Sequence, residues 1–302
     1  MQPTKIILNP VAGRGRGARV ESELRRYLEA EGLGFDLVRT ARRGHASELA
    51  AQAVRDGFEL VIAAGGDGTA HEVVNGLMTA SGGREAGTMG IIPIGSGSDF
   101  AHTAGVPADL RAACHRLAHG QVRVVDVGRI TMPGRATRYF DNTLGIGFDG
   151  VVTVEAVKVK WLRGLALYLP VVLKTVFLSL KIPRVTIEYD GEEMALRALM
   201  VCVANGPREG GGFFVAPQAQ PDDGLFDLCV TREVSRLAML GLIPHFMQGT
   251  HVDQEPVTMT RAQRVTISSP DDLVAHVDGE VLCTDGHQIT CEILPRRLRV
   301  WC

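Results

Sequence analysis

Over its first 120 residues the chain alternates short apolar runs with longer segments whose apolar residues recur every three or four positions. The short runs, which are typical of buried strands in a parallel sheet, lie at 5–8, 35–40, 60–64 and 90–93. The longer segments predict helices, and one of them carries Val20, Leu24 and Leu28 on a single face. Alternating strands and helices predict an α/β domain with a parallel, doubly wound sheet.

Beyond about residue 120 the pattern changes to strand-like runs separated by tight turns. The predicted strands are 122–130, 139–147, 184–189, 195–205, 225–231, 264–268, 273–277, 288–294 and 297–301. This arrangement is typical of a mainly antiparallel β-sandwich. We therefore expect one domain over 1–127 and a second over 128–294. Residues 295–302 can return to the first domain as an alternative.

The segment from 154 to 181 interrupts the second domain with helix-length, strongly apolar sequence. Charged residues and Pro170 break it, so it is a poor transmembrane helix. Two interpretations stay open, a pair of covering helices and a lipid-facing rim. The rim would present Trp161, Leu165, Leu167, Tyr168, Leu169, Val172 and Phe177 beside Lys158, Lys160, Arg163 and Lys174.

The most informative chemistry follows the apolar run at 60–64. Residues 65–68 read Gly-Gly-Asp-Gly, and Thr69 and Glu72 then have the spacing of a capping box at the start of a helix. A glycine turn that opens a helix presents backbone N–H groups to an anion. Asp67 fits such a nest if a metal bridges it to the anion, so we predict a metal-bound polyphosphate. Helix capping alone is the alternative role for Thr69 and Glu72.

Two further glycine loops, at 9–15 and 94–98, also follow predicted strands. Open α/β sheets bind ligands at the carboxyl ends of their strands. Several phosphate and hydrolase signatures are absent, because the chain has no Gly-Lys pair of a Walker A loop, no GxSxG around Ser96 and no kinase HRD or DFG.

Composition narrows the function classes. The net charge of -2 argues against a general nucleic-acid binder, so no nucleic-acid partner is expected. The six cysteines form no CxxC pair, which favours a reducing, cytosolic compartment. His115 and His119 have the helical spacing of a metal pair, but no carboxylate stands beside them in the HExxH manner, and we therefore favour plain surface residues.

With these motifs in collinear order, the chain resembles the diacylglycerol kinase catalytic-domain family, which includes bacterial lipid kinases and sphingosine kinases. The matching segments are NPVAGRG at 9–15, TARRGHA at 40–46, GGDGTAHEVVNGL at 65–77, PIGSGSDFA at 93–101, GIGFDG at 145–150, ANGPREGGGFFVAPQAQPDDGLFDL at 204–228 and VDGE at 277–280. The implied fold is a Rossmann-like, NAD-kinase/phosphofructokinase-like α/β domain followed by a β-sandwich, with nucleotide held between them. The implied activity is Mg²⁺-dependent transfer of the γ-phosphate of ATP to a lipid hydroxyl.

The resemblance also implies roles for particular residues. The residues implied to bind nucleotide are Asn9, Pro10, Val11, Ala12, Gly13, Thr40, Gly66, Asp67, Gly68, Thr69, Glu72 and Ser96. Ser96 and Ser98 depart from the family's usual Thr and Asn, although a serine hydroxyl can still donate to phosphate. A second, structural Mg²⁺ is implied at the backbone carbonyls of Gln220 and Leu225 and the carboxylate of Asp223.

Asp67 is implied to reach the catalytic Mg²⁺ directly or through water. Glu280 is implied to accept the proton of the lipid hydroxyl, with Asp278 supporting it or lying near the metal. The alternative for VDGE is a plain hairpin turn, for which Asp-Gly is a strong signal.

Three functions remain open on the sequence. The first is a lipid kinase of the cytoplasm that associates transiently with the membrane surface. The second is a kinase of NAD or another polar metabolite, which shares the GGDGT nest. The third is a catalytically silent nucleotide- or lipid-binding regulator, and a homodimer is kept as an open alternative for any of them.

Overall fold

The computed structural model describes residues 3–82, 86–95, 97–158 and 170–302, and it divides the chain into two compact units. The N-terminal unit comprises Met1–Val127 together with Pro295–Cys302, and the C-terminal unit comprises Gly128–Leu294.

A parallel sheet forms the centre of the N-terminal unit. Its strands are β1 (Thr4–Leu8), β2 (Asp36–Arg39), β3 (Leu60–Gly65), β4 (Thr88–Pro93) and the final residues of β15 (Glu280–Trp301). They lie in the order β2-β1-β3-β4-β15, and every pairing is parallel. All residues of β3 and β4 are buried, as expected for strands covered by helices on both faces.

Five helices accompany this sheet in the described residues, namely α1 (Ala12–Ala30), α2 (His45–Arg55), α3 (Asp67–Ala80), α4 (Asp99–Thr103) and α5 (Leu110–His119). Residues 13–15 within α1 have left-handed, non-helical backbone angles and belong to the loop that follows β1. Leu24 and Leu28 of α1 share one core with Cys114 and Leu117 of α5. Helices α2 and α3 pack against each other, and a Cβ at Gly76 would lie 2.3 Å from the carbonyl oxygen of Ser47. Glycine is required there by close helix packing.

The C-terminal unit is built mainly from antiparallel strands. They are the end of β5 (Val122–Thr131), β6 (Arg138–Phe140), β7 (Thr143–Gly147), β8 (Arg184–Tyr189), β9 (Glu192–Ala204), β10 (Arg208–Glu209), β11 (Phe213–Phe214), β12 (Phe226–Arg232), β13 (Val257–Ala262), β14 (Arg264–Val277) and most of β15. The long strands β9 and β14 each pair with β7 at one end and with β8 at the other. The predicted fold class, an α/β domain followed by an antiparallel β-sandwich, is confirmed.

In the part of the C-terminal unit that the structure describes, the α-helices are α6 (Phe148–Lys158), α7 (Arg236–Gln248) and residues 170–174, which continue into a π-helix (Thr175–Ser179), and a short 3-10 helix spans His251–Asp253. Helix α7 was absent from the prediction. Its apolar residues do not keep to one face, Leu237 is 78% exposed, and Pro244 lies inside it. A helix without an apolar stripe leaves no periodic signal in the sequence.

Three strand predictions were wrong in detail, and in one of them 288–294 and 297–301 belong to the single strand β15 (Glu280–Trp301). The single strand predicted over 139–147 is two strands, β6 and β7, because the backbone of residues 141–143 bonds to a side chain described below. Conversely, 264–268 and 273–277 form one strand, β14, whose register shifts between Ser268 and Leu273.

The capping box predicted for Thr69 and Glu72 was also wrong. Helix α3 begins at Asp67 with Gly66 as its N-cap, and no side chain caps it. The Glu72 carboxylate accepts instead from the backbone N–H groups of Gly44 and Ala46.

The proposed lipid-facing rim is only partly visible. Trp161, Leu165, Leu167, Tyr168, Leu169, Lys160 and Arg163 lie outside the described residues. Val172 is buried against Val152 and Ala156, so its assignment to a lipid-facing surface was wrong. Phe177 is 48% exposed. Among the described residues, no helix combines the length and apolarity needed to cross a membrane.

Candidate active site

Three loops of the N-terminal unit meet at the carboxyl ends of β1, β3 and β4. The side-chain amide of Asn9 donates to the Thr69 hydroxyl at 3.0 Å, which joins the first loop to the second. A Cβ on Gly13 would lie 2.6 Å from the Ile94 carbonyl oxygen, and one on Gly95 would lie 2.6 Å from the Cα of Gly66. These glycines are therefore needed for the loops to approach one another.

Asp67 lies at the point where the second and third loops meet. Its carboxylate accepts from the backbone N–H of Ser98 at 2.7 Å and of Phe100 at 3.3 Å. Burial and then the negative charge of Asp99 raise the pKa of Asp67 to about 6. The site thus places two carboxylates near each other at a helix N-terminus, an arrangement that a cation would stabilise.

The segment at 40–46 is tied to the same region. The backbone N–H of Thr40 donates to the Leu8 carbonyl at 2.9 Å. Glu72 accepts from Gly44 at 2.7 Å and from Ala46 at 3.0 Å. Glu72 thus holds this segment against α3 with both carboxylate oxygens.

The remaining predicted nucleotide residues belong to these loops. The side chain of Asn9 also accepts from the Val11 N–H, the Ala12 N–H donates to the Asn9 carbonyl, and the Pro10 carbonyl accepts from Ala18. Val11 is 73% exposed. Gly68 lies in the first turn of α3. Ser96 lies outside the described residues.

The predicted second metal site lies just before β12 in the C-terminal unit. Gln220 and Asp223 are exposed and Leu225 is half-buried. One oxygen of Asp223 accepts from the Leu225 N–H at 3.1 Å, and the other pairs with the Arg261 guanidinium. The arginine supplies the positive charge that a cation would bring.

Asp278 and Gly279 form the two-residue turn between β14 and β15. Both have positive φ, 47° and 77°, and Val277 pairs with Glu280 across the turn. The hairpin predicted for VDGE is therefore present. Glu280 is half-buried at the first position of β15.

The Asp278 side chain points back from this turn and is buried. Its carboxylate accepts from the backbone nitrogens of residues 141, 142 and 143, at 3.3, 3.1 and 2.9 Å respectively. Asp278 therefore fixes the loop between β6 and β7 against the turn that carries Glu280.

A triad of the buried Asp149 and His276 and the half-buried Glu209 lies beside this turn, and its members did not enter the sequence prediction. The His276 Nε2 atom is 3.7 Å from an Asp149 oxygen and 3.5 Å from a Glu209 oxygen. Burial lowers the pKa of His276, but the charges of Glu209 and Asp149 outweigh it and raise the pKa to about 9. A histidinium thus lies between two carboxylates.

Gly145 makes room for the triad. A Cβ there would lie 2.1 Å from Asp149 Oδ2 and 2.3 Å from His276 Nε2. All three triad residues lie in or next to segments singled out from the sequence, 145–150, 204–228 and 277–280. Because the three residues are far apart in the sequence, the sequence did not indicate that they lie close together.

Comparison with known proteins places this geometry in a family. Residues 3–130 match the diacylglycerol kinase catalytic domain, and residues 142–302 match the YegS C-terminal NAD kinase beta sandwich-like domain. A diacylglycerol kinase of Bacillus subtilis (strain 168) is 30% identical over 93% of this chain and 90% of its own length. One from Mycobacterium tuberculosis (strain ATCC 25618 / H37Rv) is 28% identical over 97% of this chain and 93% of its own length.

Solved structures agree on the fold. A candidate diacylglycerol kinase from Bacillus anthracis str. Sterne superimposes with a TM-score of 0.80 at 24% identity, over 99% of this chain and 97% of that one. The matched catalytic-domain family and its relatives define the class of the chain as a lipid kinase. The chain belongs to the diacylglycerol kinase catalytic-domain family, as its motifs indicated.

Proposed function

We propose that the chain transfers the γ-phosphate of ATP to a hydroxyl group of a diacylglycerol-like lipid, with Mg²⁺ as the required cation. The observation that carries the proposal is the meeting of three glycine loops at the carboxyl ends of β1, β3 and β4 with Asp67 among them. Such loops present backbone N–H groups to phosphate oxygens, and the start of α3 adds the favourable end of a helix dipole.

The donor set around Asp67 suits Mg²⁺, which prefers oxygen ligands and keeps several waters. A carboxylate has about four lone-pair sites, and the N–H groups of Ser98 and Phe100 use two of those on Asp67. The remaining sites can face a hydrated cation. When bound, Mg²⁺ would neutralise charge on the transferring phosphate.

The proposed proton acceptor for the lipid hydroxyl is Glu280. Asp278 is proposed as a positioning residue, because its carboxylate is engaged by the backbone of residues 141–143. Because these bonds hold the turn, they also fix the position of Glu280, which follows it. A fixed orientation of the reacting groups contributes much of the rate enhancement in catalysis.

The second Mg²⁺ at Gln220, Asp223 and Leu225 stays a prediction from the resemblance. The ion pair between Asp223 and Arg261 occupies the carboxylate, so the residues as arranged do not fit a cation there. No step of the proposed reaction depends on that site.

The test is transfer of radiolabelled γ-phosphate from ATP, with Mg²⁺, to a panel of lipids in mixed micelles. The panel contains diacylglycerol, monoacylglycerol, phosphatidylglycerol and a sphingoid base, with NAD as the polar control. Asp67→Ala is the blank, and Asp56→Ala, which changes an exposed aspartate of the same unit, is the matched control. Label in a lipid that is lost only in the blank supports the proposal.

Two other outcomes would overturn it. Label in NAD alone would make the chain a polar-metabolite kinase. ATP binding without transfer to any acceptor would favour the silent regulator. Association with the membrane surface, a cytoplasmic location and a homodimer stay predictions that this assay leaves separate.

A further inference from the structure

The outer end of helix α1 and the exposed face of helix α5 bring together two histidines and a glutamate. His115 Nδ1 lies 3.1 Å from Glu31 Oε1, and His119 Nε2 lies 3.0 Å from Glu31 Oε2. The two imidazole rings are 4.5 Å apart, centre to centre. All three potential ligand atoms fall within 4.8 Å of one another.

The fold fixes the backbone of each of these residues. Glu31 ends α1, where its N–H donates to the Tyr27 carbonyl at 3.1 Å. His115 and His119 lie one turn apart on α5, which is capped at its start by Asp109. Because α1 and α5 share a buried core, the carboxylate is held opposite the two rings.

The spacing matches tetrahedral coordination. Zinc bonds of about 2.0–2.2 Å at a tetrahedral angle put neighbouring ligand atoms roughly 3.3 Å apart. The single oxygen Oε2 of Glu31 lies 3.2 Å from His115 Nδ1 and 3.0 Å from His119 Nε2, so only a small outward movement of the side chains is needed. Three protein ligands leave the fourth position for water or an external ligand.

The exposure of the three side chains and their ligand types also favour a cation at this site. The side chains of His115 and His119 are 63% and 58% exposed, and that of Glu31 is 24% exposed, so a hydrated cation can enter from solvent. Two neutral imidazoles and one carboxylate are a common ligand set for Zn²⁺.

We infer that Glu31, His115 and His119 form a binding site for a divalent transition-metal ion, with Zn²⁺ as the ion we commit to. The site clips the end of α1 to α5 in the N-terminal unit. It is separate from the carboxylates that we assign to phosphoryl transfer, and it does not depend on the proposed function.

The experiment is calorimetric titration of the metal-stripped full chain with Zn²⁺, repeated with Co²⁺ while its visible absorption is recorded. The variants are His115→Gln, His119→Gln and Glu31→Gln, and the matched control is His287→Gln, which changes an exposed histidine close to a single carboxylate. Glutamine keeps hydrogen-bonding capacity at each position. It removes the imidazole nitrogen of each histidine and the negative charge of Glu31.

We expect the wild type and the His287→Gln control to bind one more Zn²⁺ than each histidine variant, with the intense visible bands of tetrahedral Co²⁺. Glu31→Gln should bind more than about tenfold more weakly. Unchanged melting of the variants in a chelator would show that they fold. Equal Zn²⁺ stoichiometry in wild type and histidine variants, or no tetrahedral Co²⁺ spectrum, would overturn the inference.

Discussion

The turn that carries Asp67 and the turn that carries Asp278 hold their aspartate in the same way, but the two aspartates differ in their charged neighbours. In each, backbone N–H groups of a neighbouring loop hold an aspartate carboxylate. Asp67 has a second carboxylate, Asp99, as its charged neighbour, whereas Asp278 has the histidinium of His276. The comparison teaches that the first turn sets two carboxylates side by side, whereas beside the second turn a histidine with a raised pKa lies among the carboxylates of Asp149, Glu209 and Asp278.

The largest expected effect is a loss of turnover when Glu280, the residue that follows the Asp278 turn, is changed. We expect Glu280→Gln to lower turnover by about 10²–10⁴-fold, because it removes the proposed proton acceptor, and to leave ATP binding unchanged. Steady-state phosphate transfer and equilibrium ATP binding measure the two quantities. Asp285→Asn, on the same strand and paired with Arg135 at the surface, is the control. Near-normal turnover of Glu280→Gln would remove this role.

The second effect is on stability, and its size differs between the turns. Asp278→Asn should lower the free energy of unfolding by about 2–3 kcal/mol, since a charged acceptor of three buried N–H groups is lost. Asp67→Asn should cost less, or even stabilise, near neutral pH, because it removes a charge that burial disfavours. Denaturant unfolding of both variants measures this. An equal loss in both would contradict the comparison.

The pH dependence of stability sharpens the contrast. The raised pKa of Asp67 means that the folded state binds more protons than the unfolded state, so this group's contribution falls as pH rises from about 4 to about 6. The raised pKa of His276 gives a contribution that is complete below about 6.5 and lost as pH rises through about 9.

Unfolding curves across this pH range, compared with those of Asp67→Asn and His276→Asn, isolate the two windows. Asp67→Asn should lose the change in stability between about pH 4 and 6 and keep the change between about 6.5 and 9. His276→Asn should show the reverse. If either variant retained the full wild-type profile, the corresponding electrostatic account would fail.

The smallest effect compares two alanine substitutions within the C-terminal unit. Gly145→Ala places a methyl group against Asp149 and His276 and should cost about 1–3 kcal/mol. Gly241→Ala, in α7 with open space around it, should instead stabilise by about 0.5–1 kcal/mol. Thermal melting of the two variants measures these opposite changes in stability. An unchanged melting temperature of Gly145→Ala would show that the triad tolerates displacement.

Sequence periodicity was sufficient for the fold class, because buried strands such as β3 and amphipathic helices such as α1 leave regular apolar patterns. It failed where tertiary contacts override local signals. Glu72 has the spacing of a capping residue, yet the N–H groups of Gly44 and Ala46 are its partners.

The candidate sites show the same limit. The glycine loops were recognisable because each motif is continuous along the chain. The partner of His115 and His119 was not, since Glu31 lies 84 residues from His115 and reaches it only through the packing of α1 on α5. The triad of Asp149, Glu209 and His276 likewise joins residues that are distant in the sequence, and the pairing of β14 with β7, which sets His276 beside Gly145, is not encoded in local spacing.

The central claim, that the Asp67 turn receives a metal-bound nucleotide while the Asp278 turn does not, is tested most directly by ATP affinity with and without Mg²⁺. The account predicts that Mg²⁺ tightens ATP binding in the wild type and in Asp278→Asn, and that this enhancement disappears in Asp67→Asn while the Mg²⁺-free affinity is kept. An undiminished Mg²⁺ enhancement in Asp67→Asn would contradict the account.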